Sequence, residues 1–216
     1  GDLTITDAAV TSFSSTLAAG DLTQTDGTTS TTLMGAATLS GDLDFTGQDL
    51  ILNGAGNTVG GTMDVTNAGT FTTDDDATLT VTGQFTQDGT GSSTLGADLT
   101  STTAGISFAT NVTLDSSDLV TLQTGEGDTD DLSIGGALSS TANESLSIDA
   151  GESGDISVTG AVNLGTGDLT ITDAAVTSFS STLAAGDLTQ TDGTTSTTLG
   201  GTVSLSGNLD FTGQSL

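Results

Sequence analysis

Residues 1–45 read GDLTITDAAVTSFSSTLAAGDLTQTDGTTSTTLMGAATLSGDLDF, and the tripeptide Gly-Asp-Leu that opens this stretch recurs at residues 20–22 and 41–43. Looser glycine-led restarts follow near Gly61, Gly83, Gly105 and Gly154. The spacing of roughly 19–25 residues is the length of one coil in a solenoid. The sequence therefore predicts a stack of similar coils.

Apolar and polar residues alternate inside each coil, which is typical of a β-strand with one buried face. Leu3, Thr4 and Ile5 show the pattern, and so do residues 79–81. An antiparallel sandwich would also contain short alternating strands, but it would not repeat one motif at coil length in the same order. The pattern predicts an all-β fold, a parallel β-helix (β-solenoid) with coils of roughly 19–25 residues.

A longer repeat encloses the coils, because Gly1–Leu50 recurs as Gly167–Leu216 with 44 of 50 positions identical. We expect one continuous solenoid over residues 1–216, in which residues 1–166 form one super-repeat and residues 167–216 begin a second copy. Eight coils would fill a super-repeat and give a rod of roughly 40 Å. Because the second copy stops within the repeat, we expect the chain to be part of a longer protein.

The composition supports strands and restricts function. The chain has no Lys, Arg, His, Pro, Cys, Trp or Tyr, and its 28 acidic residues give a formal net charge of −28. High charge with few aromatic residues is also typical of disorder, but 33% of the residues are hydrophobic and they are regularly spaced. The seven phenylalanines are expected to fill the interior. Without Lys or Arg, we expect no binding to nucleic acid or to anionic membranes.

The same absences argue against catalysis. His, Lys, Cys and Tyr, the usual bases and nucleophiles, are missing, which leaves carboxylates as the only acid–base groups. Paired carboxylates hydrolyse glycosides, but a sugar cleft normally offers Trp or Tyr platforms, and the chain has neither. We therefore expect no enzyme activity and no catalytic residues.

Calcium binding is a more serious hypothesis, because Ca²⁺ takes six to eight oxygen ligands and carboxylates are abundant here. Two acidic clusters are the candidate metal sites, with the alternative that both are solvated loops. The candidate ligands are Asp74, Asp75 and Asp76 in the first cluster, and Asp128, Asp130 and Asp131 in the second.

Ice binding is a further alternative, since a flat array of threonines on a solenoid face could order water. Thr-x-Thr pairs occur at residues 4–6, 23–25 and 78–82. They are present in only some coils, and threonine is also simply a good strand former.

The segments GDLTQTDGTTSTTL at residues 20–33 and GNLDFTGQSL at residues 207–216 resemble the repeats of very large bacterial surface proteins of the filamentous-haemagglutinin or giant-adhesin type. The resemblance implies a right-handed parallel β-helix that is secreted to the cell surface. It also implies a structural or adhesive fibre that associates with copies of itself or with other cell-surface and matrix components. A calcium-stabilised matrix or sheath filament is the alternative.

Overall fold

The computed structural model describes all residues from Gly1 to Leu216, and they form thirty β-strands and no helix. The strands lie in three parallel sheets of ten strands each, and every third strand belongs to the same sheet. The chain therefore winds ten times around one core and contributes one strand per sheet in each coil. The predicted β-solenoid is confirmed. None of the chain is folded into an apolar helix of membrane-spanning length.

The strands are numbered β1–β30 in chain order, and each sheet runs in one direction along the solenoid. The first sheet contains β1 (Leu3–Ile5), β4 (Leu22–Gln24), β7 (Leu43–Gly47), β10 (Met63–Asn67), β13 (Phe85–Gln87), β16 (Ile106–Phe108), β19 (Leu132–Ile134), β22 (Ile156–Val158), β25 (Val176–Phe179) and β28 (Ser196–Leu199). The second contains β2 (Ala8–Phe13), β5 (Gly27–Leu33), β8 (Asp49–Leu52), β11 (Thr70–Thr73), β14 (Ser92–Leu95), β17 (Val112–Leu114), β20 (Leu138–Ser140), β23 (Val162–Asn163), β26 (Leu183–Ala185) and β29 (Val203–Leu205). The third contains β3 (Leu17–Ala19), β6 (Ala37–Leu39), β9 (Asn57–Val59), β12 (Leu79–Val81), β15 (Leu99–Ser101), β18 (Val120–Gln123), β21 (Leu146–Asp149), β24 (Leu169–Asp173), β27 (Leu188–Gln190) and β30 (Leu209–Phe211).

The number of residues per coil varies along the stack. Leu3 pairs with Leu22, 19 residues later, in the shortest coil, and Ile106 pairs with Leu132, 26 residues later, in the longest. The longest coil is thus one residue beyond the predicted range. Glycine-led restarts mark the corner that precedes the first sheet, since Gly61 and Gly83 each lie two residues before a first-sheet strand.

The core is one continuous cluster of 40 buried residues along the inside of the coils. The alternation has the predicted sense, because Leu79 and Val81 are buried and Thr80 is exposed. Five of the seven phenylalanines are buried, and Phe13 and Phe211 in the outermost coils are half-buried. Phe85 contacts Phe71 and Phe108 with ring centroids 5.5 and 5.1 Å apart, within the range of favourable aromatic pairs.

The repeated Gly-Asp pair is a stacking unit at the coil corners. Asp21 Oδ1 accepts a hydrogen bond of 2.9 Å from the backbone N–H of Asp42 in the next coil. Gly41 leaves room for that carboxylate, because a Cβ at this position would clash with Asp21 Oδ1. Aspartate therefore stabilises the corner of the following coil without any cation. The same type of bond joins Asp2 to Asp21, Asp42 to Thr62, Asp49 to Thr70, Asp98 to Thr121, Asp131 to Asp155, Asp155 to Val176, Asp168 to Asp187, and Asp187 to Asn208.

The two copies of the repeated sequence stack in the same register but on different sheets. Leu3 pairs with Leu22 in the first sheet, whereas the equivalent pair, Leu169 with Leu188, lies in the third sheet. Because β24 repeats β1, a super-repeat contains 23 strands, or seven coils of three strands and two further strands. The super-repeat is therefore one strand short of the predicted eight coils. The prediction was too high because the coils in the middle of the super-repeat are longer than those at its start.

The corner bonds predict different effects on stability for two substitutions of Asp42, whose Oδ1 accepts the Thr62 backbone N–H at 2.7 Å. Asp42→Ala removes the acceptor and is expected to lower the free energy of unfolding by about 1 kcal/mol. Asp42→Asn keeps an acceptor oxygen and removes a charge, so it is expected to preserve stability; the second copy carries Asn208 at this position. Urea denaturation followed by circular dichroism measures both. An equal loss in the two variants would contradict the proposed role of the carboxylate oxygen.

Candidate functional surface

The largest surface depression is a polar groove of about 420 Å³ along the corner between the first and second sheets. Each of four successive coils contributes three residues, and only one of the twelve is hydrophobic. With strands about 4.8 Å apart, the groove extends roughly 15 Å along the solenoid. Its lining consists of residues 26–28, 46–48, 66–68 and 88–90.

Buried amides fix the backbone behind this groove. Gln24 Oε1 accepts a hydrogen bond of 2.6 Å from the Thr31 hydroxyl. Gln87 Nε2 donates to Asn67 Oδ1 at 2.7 Å and also to the carbonyl oxygens of Gly89 and Gly91, at 3.2 and 3.1 Å. The amides are thus satisfied inside the solenoid, where unpaired polar groups are costly.

The outer wall of the groove carries carboxylate and hydroxyl groups. Asp26 and Asp88 are exposed at its two ends, and the exposed Thr46 and Thr66 lie between them. Thr66 Oγ1 donates to Asp88 Oδ1 at 2.7 Å across neighbouring coils. Such a surface can accept hydrogen bonds from a donor-rich partner.

The first predicted metal cluster lies at the corner between the second and third sheets, and two of its three carboxylates accept backbone hydrogen bonds. Asp74 Oδ1 accepts the N–H of Asp75 at 3.1 Å, and Asp75 Oδ1 accepts the N–H of Ser117 at 3.3 Å. Asp76 is exposed and lines a shallow depression of about 200 Å³. Asp74 and Asp75 therefore accept hydrogen bonds from different backbone groups, whereas Asp76 only lines the depression.

The second cluster is divided in the same way. Asp130 is only 8% exposed, and its Oδ2 accepts the N–H of Gly127 at 2.9 Å within a tight turn. Asp131 Oδ1 accepts the N–H of Asp155 in the next coil at 2.9 Å. Asp128 is exposed to solvent.

No group of three or more acidic side chains in the structure has an arrangement that could hold a metal ion. Ca²⁺ needs six to eight oxygens around one point. What the structure shows at these positions is carboxylates that accept backbone hydrogen bonds, a role that spacing alone did not reveal.

Threonines form a file on the outer face of the third sheet, exposed in three coils and half-buried at Thr100. Thr38, Thr58, Thr80 and Thr100 occupy equivalent positions in four successive coils. The residues two positions further along are Ser40, Gly60, Thr82 and Thr102. On the first sheet, the file that begins with Thr4 and Thr23 is interrupted by Asp44 and Asp64. The threonines thus lie in short files instead of a broad flat array.

Carboxylates stacked in neighbouring coils repel each other where no backbone N–H donates a hydrogen bond to them. Asp44 pairs in register with Asp64 on the exposed face of the first sheet. Partial desolvation at the sheet face raises the pKa of Asp44, and the negative charges of Asp64, Asp42 and Asp21 raise it further. Because the folded state then binds a proton more tightly than the unfolded state, Asp44 reduces stability at neutral pH and this penalty disappears as the pH falls.

Two other carboxyl groups show how burial and hydrogen bonding shift the pKa in opposite directions. Burial and the charge of Asp192 raise the pKa of Asp173, whose buried Oδ1 has no hydrogen-bond partner. Burial acts in the same direction on Glu144, but hydrogen bonds from the Ala142 N–H and the Thr141 hydroxyl outweigh it and lower the pKa. Hydrogen bonding decides whether a buried carboxylate is tolerated in this fold.

Comparison with known proteins finds no protein family, no curated protein and no solved structure that matches the chain.

Removing the charge of Asp44 is expected to stabilise the protein at neutral pH. Directly opposed like charges destabilise a sheet by a few tenths of a kcal/mol when they are exposed and screened. Asp44→Asn should therefore raise the melting temperature by about 1 °C at pH 7 and low salt, and the gain should vanish below the ordinary aspartate pKa.

Asp210→Asn is the matched control, because Asp210 is the second-copy equivalent of Asp44. Asp210 pairs with Thr189 as Asp44 pairs with Thr23, but it has no carboxylate like Asp64 on its other side. Its substitution should have a smaller effect. An Asp44→Asn variant that is less stable than the parent at pH 7 would contradict the assigned repulsion.

Proposed function

We propose that the chain is a length-setting segment of an extracellular bacterial fibre, with a structural or adhesive role at the cell surface. The observation that carries the proposal is the shared register of the two copies: Leu17 pairs with Ala37 in one, and Leu183 pairs with Val203 in the other. A unit that joins its successor in the same register can be repeated without a break in the core.

The molecule is built for continuity along one axis. Its core runs through the stack from Leu22 to Leu188 without interruption, and its principal depression is an open polar groove. Each added coil extends the rod along its axis around the same three sheets, as in other solenoids. This role depends on length and stiffness and requires no catalytic group.

Location outside the cell is part of the proposal. It is supported by the resemblance of the repeats to those of bacterial giant adhesins and by the complete absence of Lys and Arg, which leaves trypsin-like proteases no cleavage site. The charge of −28 makes neighbouring fibres repel one another, so self-association requires screening by salt or a cationic bridge.

The proposal predicts linear growth in length. Proteins with one, two or three copies of residues 1–166 followed by residues 167–216 should form rods that lengthen by about 37 Å per copy, from strands about 4.8 Å apart. Small-angle X-ray scattering should show this increment in maximum dimension and a constant cross-sectional radius.

The measurement is made with a chelator and with calcium. We expect the same rod in both, because the corner carboxylates already accept backbone N–H hydrogen bonds from the next coil. Rods that form only with calcium would favour the calcium-stabilised filament, and a maximum dimension that does not grow linearly would overturn the fibre proposal.

A further inference from the structure

Equivalent surface residues of the two copies lie on different sides of the solenoid. Thr23 faces outward from the first sheet, and its equivalent Thr189 faces outward from the third. The shift affects every repeated strand: the sequence of β2 lies in the second sheet and recurs as β25 in the first.

The three sheets can exchange sequences because each strand depends on its neighbours in adjacent coils. All three sheets are parallel and have the same alternation of inward and outward residues. The same buried contact forms in both copies: the Thr31 hydroxyl donates to Gln24 Oε1 at 2.6 Å, and the Thr197 hydroxyl donates to Gln190 Oε1 at 2.5 Å. The local sequence therefore determines how a strand pairs with the next coil. The number of strands that precede it determines which of the three sheets it joins.

The polar groove shows the consequence for a functional surface. In the first copy, residues 26–28 and 46–48 line it at the corner between the first and second sheets. In the second copy, the equivalent residues 192–194 and 212–214 follow strands of the third sheet. The glycine contacts agree: Gly27 is close to Gln24 and Gly47, and Gly193 is close to Gln190 and Gly213.

We infer that consecutive copies of the 166-residue unit present the polar groove, and every other surface feature, on the three sides of the fibre in turn. Because 23 strands leave each copy one strand short of eight coils, each copy is displaced by a third of a turn, and the original side returns after three copies. The inference deepens the proposed fibre function and rests on it. A fibre of this kind offers the same binding surface to neighbours on all sides, which suits a surrounding matrix or a bundle better than a flat partner along one face.

The test uses the full chain preceded by two further copies of residues 1–166, with Thr23 and its equivalents replaced by Cys. The chain has no cysteine of its own, so a maleimide-linked gold cluster marks each copy once. Electron cryotomography of single rods then gives the positions of the four clusters, three from the 166-residue copies and one from Thr189→Cys. The matched control carries Thr23→Cys and Ser157→Cys in the 216-residue chain, both on the first sheet, and measures the intrinsic twist of one face.

After correction for that twist, successive clusters are expected about 37 Å apart along the axis and a third of a turn apart around it. Clusters aligned on one side would overturn the inference and leave the fibre proposal intact. If neither the labelled nor the unlabelled protein forms rods, the fibre proposal itself is overturned.

Discussion

The hydrogen bond from one coil to the next is the interaction on which this structure depends. Of 132 backbone–backbone hydrogen bonds, 68 lie within the strands and 64 lie elsewhere, mostly at the corners, where Gly41 N–H bonds to the Gly20 carbonyl at 2.9 Å. Corners as well as strands are therefore joined coil to coil, and strands of three residues suffice. The absence of proline follows from the same constraint, because each coil must donate backbone hydrogen bonds along its whole length.

The same axial bonding explains how a compact fold carries 28 acidic residues and no basic side chain. At the corners, an aspartate oxygen accepts the next coil's backbone N–H, as Asp21 does from Asp42, so the carboxylate contributes to stacking. On the sheet faces no such donor is free, and the stacked Asp44 and Asp64 repel each other. The position of a carboxylate relative to the coil corner thus determines whether it stabilises the solenoid.

The fold class could be predicted because alternation such as Leu79-Thr80-Val81 and the recurring Gly-Asp-Leu directly express strand and coil periods. The exact strand count could not, since the glycine signal marks one corner per coil and the interval from Ile106 to Leu132 exceeds the others. The hydrogen-bonding roles of Asp130 and Asp131 also escaped prediction, because the sequence does not show that their oxygens accept the N–H groups of Gly127 and Asp155. The groove is formed by four coils whose contributing residues are about 20 positions apart, so no contiguous sequence motif predicts it.

Disulfide formation between designed cysteines is the most direct test of the central claim that both copies stack in one parallel register. The pairs Thr4→Cys/Thr23→Cys and Thr170→Cys/Thr189→Cys occupy register partners in neighbouring coils, at a separation that a disulfide can bridge. Both pairs are expected to oxidise readily and alike, whereas Thr4→Cys/Thr25→Cys, offset by two residues, is expected not to. Bonding of the offset pair, or of only one copy's aligned pair, would contradict the account.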